Sequence, residues 1–206
     1  RTVLVMTIAI PQFVSLLYVA KLFDSSGIIG KLLGQIPMIS NYLTSNNFIS
    51  LWDSPIVAKI LVIVINIWVG IPYIMLMATG ILMNIPADLY ESSRIDGASP
   101  WQQYSKITLP YMMFVMGPYL LTSFVGNLNN FNVIYLLTAG KPKTMAYEGG
   151  AGSTDLLITW LYTMTVTNND YKLAAVVGIL VFVVVAVISL IVYNLSPAMK
   201  NEEDFQ

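Results

Sequence analysis

The chain has 206 residues, 56% of them hydrophobic and only 10% charged, with a formal net charge of −1 and a mean hydropathy of +0.71. A soluble domain carries about 25% charged residues, so this composition belongs to the polytopic membrane class. The lack of cysteine and histidine excludes disulfides, Cys/His metal sites and Ser-His or Cys-His catalytic pairs, and the near-zero charge argues against a nucleic-acid partner.

Among the runs without Asp, Glu, Lys or Arg, four read as membrane spans: 2–20, 60–87, 107–140 and 173–199. Each is near or above the roughly 20 residues that cross about 30 Å of hydrocarbon as a helix. The first predicted helix covers Thr2 to Phe23, with Pro11 as a kink that neighbouring helices can satisfy. Residues 24–55 are mixed; Gly27, Gly30, Gly34 and Pro37 interrupt regular structure, and short interfacial helices are expected at 31–33 and 47–52. The second span covers Ala58 to Met83, where Pro72, after Gly70, predicts a bend. Pro86 suits the first turn of a helix in the polar segment that follows, with Asp88 and Glu91 near its positive end.

The third span covers Leu109 to Leu137 and includes Pro110, Gly117, Pro118 and an asparagine cluster. After the loop 140–152, a short helix is expected over 155–166, capped by Ser153, Thr154 or Asp155. Its charge-free run, 156–169, is too short to span easily and reads as interfacial or re-entrant. The fourth span covers Leu173 to Leu195, stopped by Pro197, and KNEEDFQ forms a soluble end. The predicted fold is thus an all-α polytopic membrane domain over 1–206 with four spans. Arg1, in place of Met, leads straight into an apolar run, so earlier helices are expected to precede it.

Four spans place both ends on one side. Loop charge does not orient them: Arg1, Arg94, Lys106 and Lys200 fall on one side, and Lys31, Lys141, Lys143 and Lys172 on the other, with Lys21 and Lys59 close by. Lys21 and Lys59 lie at the ends of the first and second spans, and no span holds an ionisable Asp, Glu, Lys or His in its interior, which disfavours an ion-coupled secondary transporter, although sodium sites built of carbonyls stay open. Gly27-Ile-Ile-Gly30-Lys31 lacks the spacing of a phosphate loop, so ATP is not expected on this chain. Asp88, Glu91 and Asp96 are close in sequence but unpaired by any acid–base motif, and Asn194-Leu-Ser196 runs into Pro197 and is set aside as a glycosylation signal.

Two groups of residues stand out. In Glu91 to Pro110, ESSRIDGASPWQQYSKITLP, Glu91, Arg94 and Ala98 share a helical face, and the small Ser92, Ser93 and Gly97 permit close approach. Such a helix fits a groove on a soluble partner, with Glu91 offering a carboxylate to a basic residue there; an ordinary loop is the alternative. The second group is a pair of polar stripes. Ser123, Gly126, Asn127 and Asn130 stand at i, i+3, i+4 and i+7, and so do Asn66, Val69, Gly70 and Tyr73. At 1.5 Å per residue, Asn127 lies roughly 26 Å above Pro110 and Asn66 roughly 9–12 Å below Lys59, which gives the stripes overlapping depth. They can line one cavity, where amides suit a hydroxyl-rich ligand and Tyr73 stacks on a sugar face. From the residues alone, interhelical glue is the favoured reading.

The segment 91–110 resembles the EAA signature of bacterial ABC-importer permeases (the MetI-like fold). Glu91, Gly97, Ala98, Tyr104, Ile107, Leu109 and Pro110 match; Ser92 and Ser93 replace the usual alanines and Tyr104 the usual Phe. NIWVGIPYIMLMATGILMNIPADLYE, NNFNVIYLLTAGKP, GSTDLLITWLY and YKLAAVVGIL resemble the larger permease subunit of maltose and maltodextrin importers. The resemblance implies that 86–106 is a cytoplasmic coupling loop, that Glu91, Ser92, Ser93, Asp96, Gly97 and Ala98 dock on an ATPase subunit, and that 24–55 and 140–172 face outward. It also implies a bacterial cytoplasmic membrane with both ends of the chain cytoplasmic, a second permease subunit, two ATPase subunits that hold ATP and magnesium, and an extracellular sugar-binding protein. In that family the two stripes align with sugar-site positions. Gly126 stands where the family has a large aromatic residue, which points to a longer or differently placed oligosaccharide. A permease of the same build for another solute is the alternative.

Overall fold

Proline, glycine and asparagine set where the helices begin and end. The computed structural model describes residues 5–143 and 150–195. Among them, in order, are a 3₁₀ turn (Thr7–Ala9), α1 (Gln12–Phe23), α2 (Ile28–Gly34), α3 (Pro37–Ser45), a 3₁₀ turn (Leu51–Asp53), α4 (Pro55–Met83), α5 (Ala87–Ile95) and α6 (Pro100–Gln103). A π-helical turn (Tyr104–Thr108) leads into α7 (Leu109–Leu128). Then come α8 (Phe131–Leu137), α9 (Leu157–Tyr162), a π-helical turn (Thr163–Thr167) and α10 (Tyr171–Leu195). The expected all-α membrane fold is present: four stretches, Gln12–Gly34, Pro55–Met83, Pro100–Leu128 and Tyr171–Asn194, are long and apolar enough to cross a membrane.

Several boundaries differ from expectation, each for a local reason. Pro11 does not kink a helix from Thr2 to Phe23; the helix starts after it, at Gln12. Pro11 has no N–H to donate, and Ile10 before it is extended at φ −89°, ψ 128°. Pro37, expected to interrupt structure, instead opens α3 at its first turn, where a missing N–H costs nothing. Gly30 and Gly34 lie inside α2. The expected helix at 47–52 is only the 3₁₀ turn, capped by Ser50 and Asp53. The second span begins at Pro55, three residues earlier than expected, because buried Ser54 accepts from Val57 N at 3.4 Å.

The third span does not run to Leu137. It breaks at Asn129–Asn130, where the Asn130 side chain accepts from Val133 N and starts α8 as a new helix. Asparagine offers the backbone a local partner that competes with continuing the helix. Over the short helix, the cap comes from Thr159, whose hydroxyl accepts from Leu156 N at 2.9 Å, rather than from residues 153–155. Asp170 caps α10 through Leu173 N at 3.1 Å. Pro197 and the tail lie outside the described residues.

The described backbone divides into two compact units, one from residues up to 71 and from 128–182, the other from 72–127 and from 183 onward. The first is centred on Leu16, Val62, Ile65, Val133, Ile134 and Leu137, with Trp52, Val69 and Leu156 packed around them. Trp52 donates its indole N–H to Ala20 O at 3.1 Å, tying the 3₁₀ turn to α1. A polar clasp joins α8 to α9. Thr154 donates to Lys141 O at 2.7 Å and shares a 2.7 Å hydrogen bond with Thr138. Asp155 accepts from Gly152 N and from the Thr159 hydroxyl, both at 2.8 Å. Thr138, Thr154 and Thr159 are all buried. Gly140, at φ +81°, is required there, since a Cβ would strike the Asp155 carboxylate.

Candidate functional site

The segment 86–106 is held in the second unit. Pro86 precedes α5, and Asp88 sits in its first turn, favourable to the positive helix end. The helix stops in a Schellman turn: Gly97, at φ +78°, lets Ala98 N reach Ser93 O at 2.9 Å and Gly97 N reach Arg94 O at 3.0 Å. The left-handed conformation explains the glycine of the signature. It also corrects one expectation: Asp96, Gly97 and Ala98 lie in the turn, so Ala98 does not extend the Glu91–Arg94 face as a helical residue.

Glu91, Ser92, Arg94 and Asp96 are exposed. Ile95 is 87% exposed, an apolar side chain beside charged neighbours. Ser93 is half-buried and turned inward: its hydroxyl donates to Tyr90 O at 2.9 Å and accepts from the Gln103 amide at 2.9 Å. Ser99 caps α6 reciprocally with Gln102, at 3.3 and 2.8 Å. Ser93, Asp96, Gly97, Ala98, Gln102, Gln103, Lys106 and Ile107 line an open cavity of about 340 Å³. The inward partners Tyr90, Gln103 and Thr108 were missed from sequence; no residue spacing announces them.

Of the polar stripes, the fold brings Asn66 and Asn130 together. The Asn130 amide donates to Asn66 Oδ1 at 3.0 Å while its carbonyl caps α8. Both are half-buried in the first unit, as are Val69 and Gly70. Asn130 is not on the helix of Ser123, Gly126 and Asn127, so the expected four-residue stripe is three residues of α7 followed by a break. Asn127 donates to Ser123 O at 2.8 Å along its own helix. Gly126 is exposed, and a Cβ there would meet nothing within 4 Å.

Tyr73 is 55% exposed and pairs with Tyr119, ring centroids 5.3 Å apart. Sequence reading missed Tyr119, and also the aromatic group of Phe131, Tyr135 and Tyr162, whose centroids lie 5.0 to 5.2 Å apart. The spacing of Phe131 and Tyr135, four residues apart in α8, was the available signal. Hydrogen bonding with Tyr135 holds the Tyr162 phenol above its ordinary range, with the charge of Tyr135 and burial adding to the shift. Among the described residues no group of His, Cys, Asp and Glu is arranged to hold a metal.

Residues 1–201 match the family described as binding-protein-dependent transport system inner membrane component. The chain belongs to this family. The maltodextrin transport system permease protein MdxF of Bacillus subtilis (strain 168) is 39% identical over 95% of this chain and 45% of its own. The maltose/maltodextrin transport system permease protein MalF of Vibrio vulnificus (strain YJ016) is 36% identical over 98% of this chain and 38% of its own. The galactooligosaccharides transport system permease protein GanP of Bacillus subtilis (strain 168) is 37% identical over 98% of this chain and 46% of its own. The chain therefore spans somewhat under half the length of these relatives. The fold is similar to a chain in the crystal structure of a bacterial ABC transporter involved in the import of the acidic polysaccharide alginate. The TM-score is 0.62 at 23% identity, over 90% of this chain and 60% of that one. The match assigns the chain to the membrane-embedded part of a binding-protein-dependent transport system.

Proposed function

We propose that the chain is the core of a permease subunit that carries maltodextrin-like oligosaccharides across the bacterial cytoplasmic membrane in an ABC importer. α5 is the observation that carries this reading: a short, polar, exposed helix with Glu91 outward, ended by a left-handed Gly97. It is shaped to enter a cleft of an ATPase subunit. In this reading 86–106 and both ends of the chain are cytoplasmic, while 24–55 and 140–172 face outward. Two ATPase subunits hold ATP and magnesium, a second permease subunit completes the pathway, and an extracellular binding protein delivers the sugar.

Asn66, Val69, Gly70, Tyr73, Ser123, Gly126, Asn127 and Asn130 are the substrate candidates. Asn66 and Asn130 supply amides suited to hydroxyls, and the Tyr73–Tyr119 pair offers a ring face to a sugar. The names of the relatives, for maltodextrin and for galactooligosaccharides, support the oligosaccharide class. ATP binding draws the ATPase subunits together, α5 moves with its cleft, and the spans rock between inward- and outward-open states around the sugar.

The test is Glu91→Lys in the full complex. Uptake and stimulation of ATPase activity both collapse if α5 docks on an ATPase. An ion-coupled carrier would instead keep uptake in cells stripped of the ATPase. The competing reading within transport is another solute. Uptake of malto- and galacto-oligosaccharide panels by the complex distinguishes the cases.

A further inference from the structure

α5 has a second face that the docking reading leaves unused. Tyr90 and Ser93 stand three residues apart on it and reach across to the start of the third span. The Tyr90 hydroxyl shares a 2.8 Å hydrogen bond with Thr108, which is buried at 8% exposure. The Gln103 amide donates to Ser93 Oγ at 2.9 Å and to Tyr90 O at 3.4 Å. These bonds tie the middle of α5 to α6 and to the π-helical turn Tyr104–Thr108, directly below α7 in the chain. The covalent route between the same elements is the turn 96–99, which contains left-handed Gly97. A π-helical turn inside a helix is a frequent site of functional bending.

We infer that Tyr90, Ser93, Gln103 and Thr108 form a brace that carries displacement of α5 into the Pro100–Leu128 span, making them positioning residues for coupling. The inference rests on the reading that α5 docks on an ATPase. Ser93 supports it independently: it replaces an alanine usual in the signature, and its hydroxyl is spent inward on the brace. This chain has thereby added a link of its own, and the exposed residues Glu91, Ser92 and Arg94 are left for the partner.

The test uses the full-length permease in its assembled transporter and a non-hydrolysable ATP analogue, with hydrogen exchange followed at 87–98 and 100–116. In the wild type the analogue changes protection in both segments. Tyr90→Phe removes one oxygen; it is expected to keep ATPase subunits bound and keep the response at 87–98. The response at 100–116 should fall on the order of fivefold, the equivalent of one net hydrogen bond. Ser93→Ala, which restores the residue usual in the signature, should weaken it in the same direction. An unchanged response at 100–116 in both variants overturns the brace, and so does loss of bound ATPase subunits with Tyr90→Phe. Failure of the docking reading looks different: the analogue then moves neither segment in the wild type, and Glu91→Lys leaves the ATPase subunits attached.

Discussion

Asn130 does two jobs with one side chain, capping α8 and bonding to Asn66. The two can be separated. Asn130→Ser keeps a capping oxygen but is too short for Asn66, whereas Asn130→Leu loses both. Thermal unfolding of the assembled transporter should place Asn130→Leu below Asn130→Ser by about 1 kcal/mol, the worth of a cap. If the pair also holds sugar, both variants lower sugar affinity; unchanged affinity with lowered stability returns Asn66 and Asn130 to helix packing. Gly126 should behave oppositely. With nothing within 4 Å of its added Cβ, Gly126→Ala is expected to fold normally and stabilise α7 by up to about 1 kcal/mol, read as an unchanged or raised unfolding temperature. Residue types and spacing made these positions visible as candidates. Their partners were not visible, because the Asn66–Asn130 bond joins residues 64 apart in the chain.

At the scale of elements, long apolar periodicity identified the spans, while their ends were decided by single side chains. The break at Asn129–Asn130 illustrates the limit. A charge-free run from 107 to 140 looks continuous, yet one asparagine amide provides a better local partner than the next helical turn. The clasp between α8 and α9 is similar: Thr138, Thr154, Asp155 and Thr159 are brought together only by the fold, which buries the three threonines. Gly140→Ala should break the clasp, since it adds a side chain at φ +81° and drives it into Asp155. The left-handed backbone alone costs roughly 1–2 kcal/mol, and the clash adds to it. Faster hydrogen exchange over 150–160 is the expected signature, with 87–98 unaffected.

At the scale of the whole molecule, the spanning helices bury little of themselves within the chain: only 17% of the apolar window in Pro55–Met83 and 11% in Tyr171–Asn194. Exposed apolar faces of this length suit lipid or other apolar helices. Orientation can be tested directly, because the 206 residues contain no cysteine. In a permease otherwise free of cysteine, Ser45→Cys, exposed beyond the first span, should react with an impermeant maleimide added to intact spheroplasts, and Ser92→Cys only after the membrane is opened. The reverse pattern would invert the proposed topology. Sequence by itself determined the membrane class, the four spans and the Glu91–Pro110 signature, because hydropathy, charge gaps and a glycine at a left-handed turn are local properties. Only the tertiary structure decided that Asn66 meets Asn130, that Tyr73 packs against Tyr119 with the rings tilted and that Ser93 turns inward to Gln103. Those pairings depend on which helices pack together, and polar side chains in an apolar setting settle on whatever partner packing brings within about 3 Å.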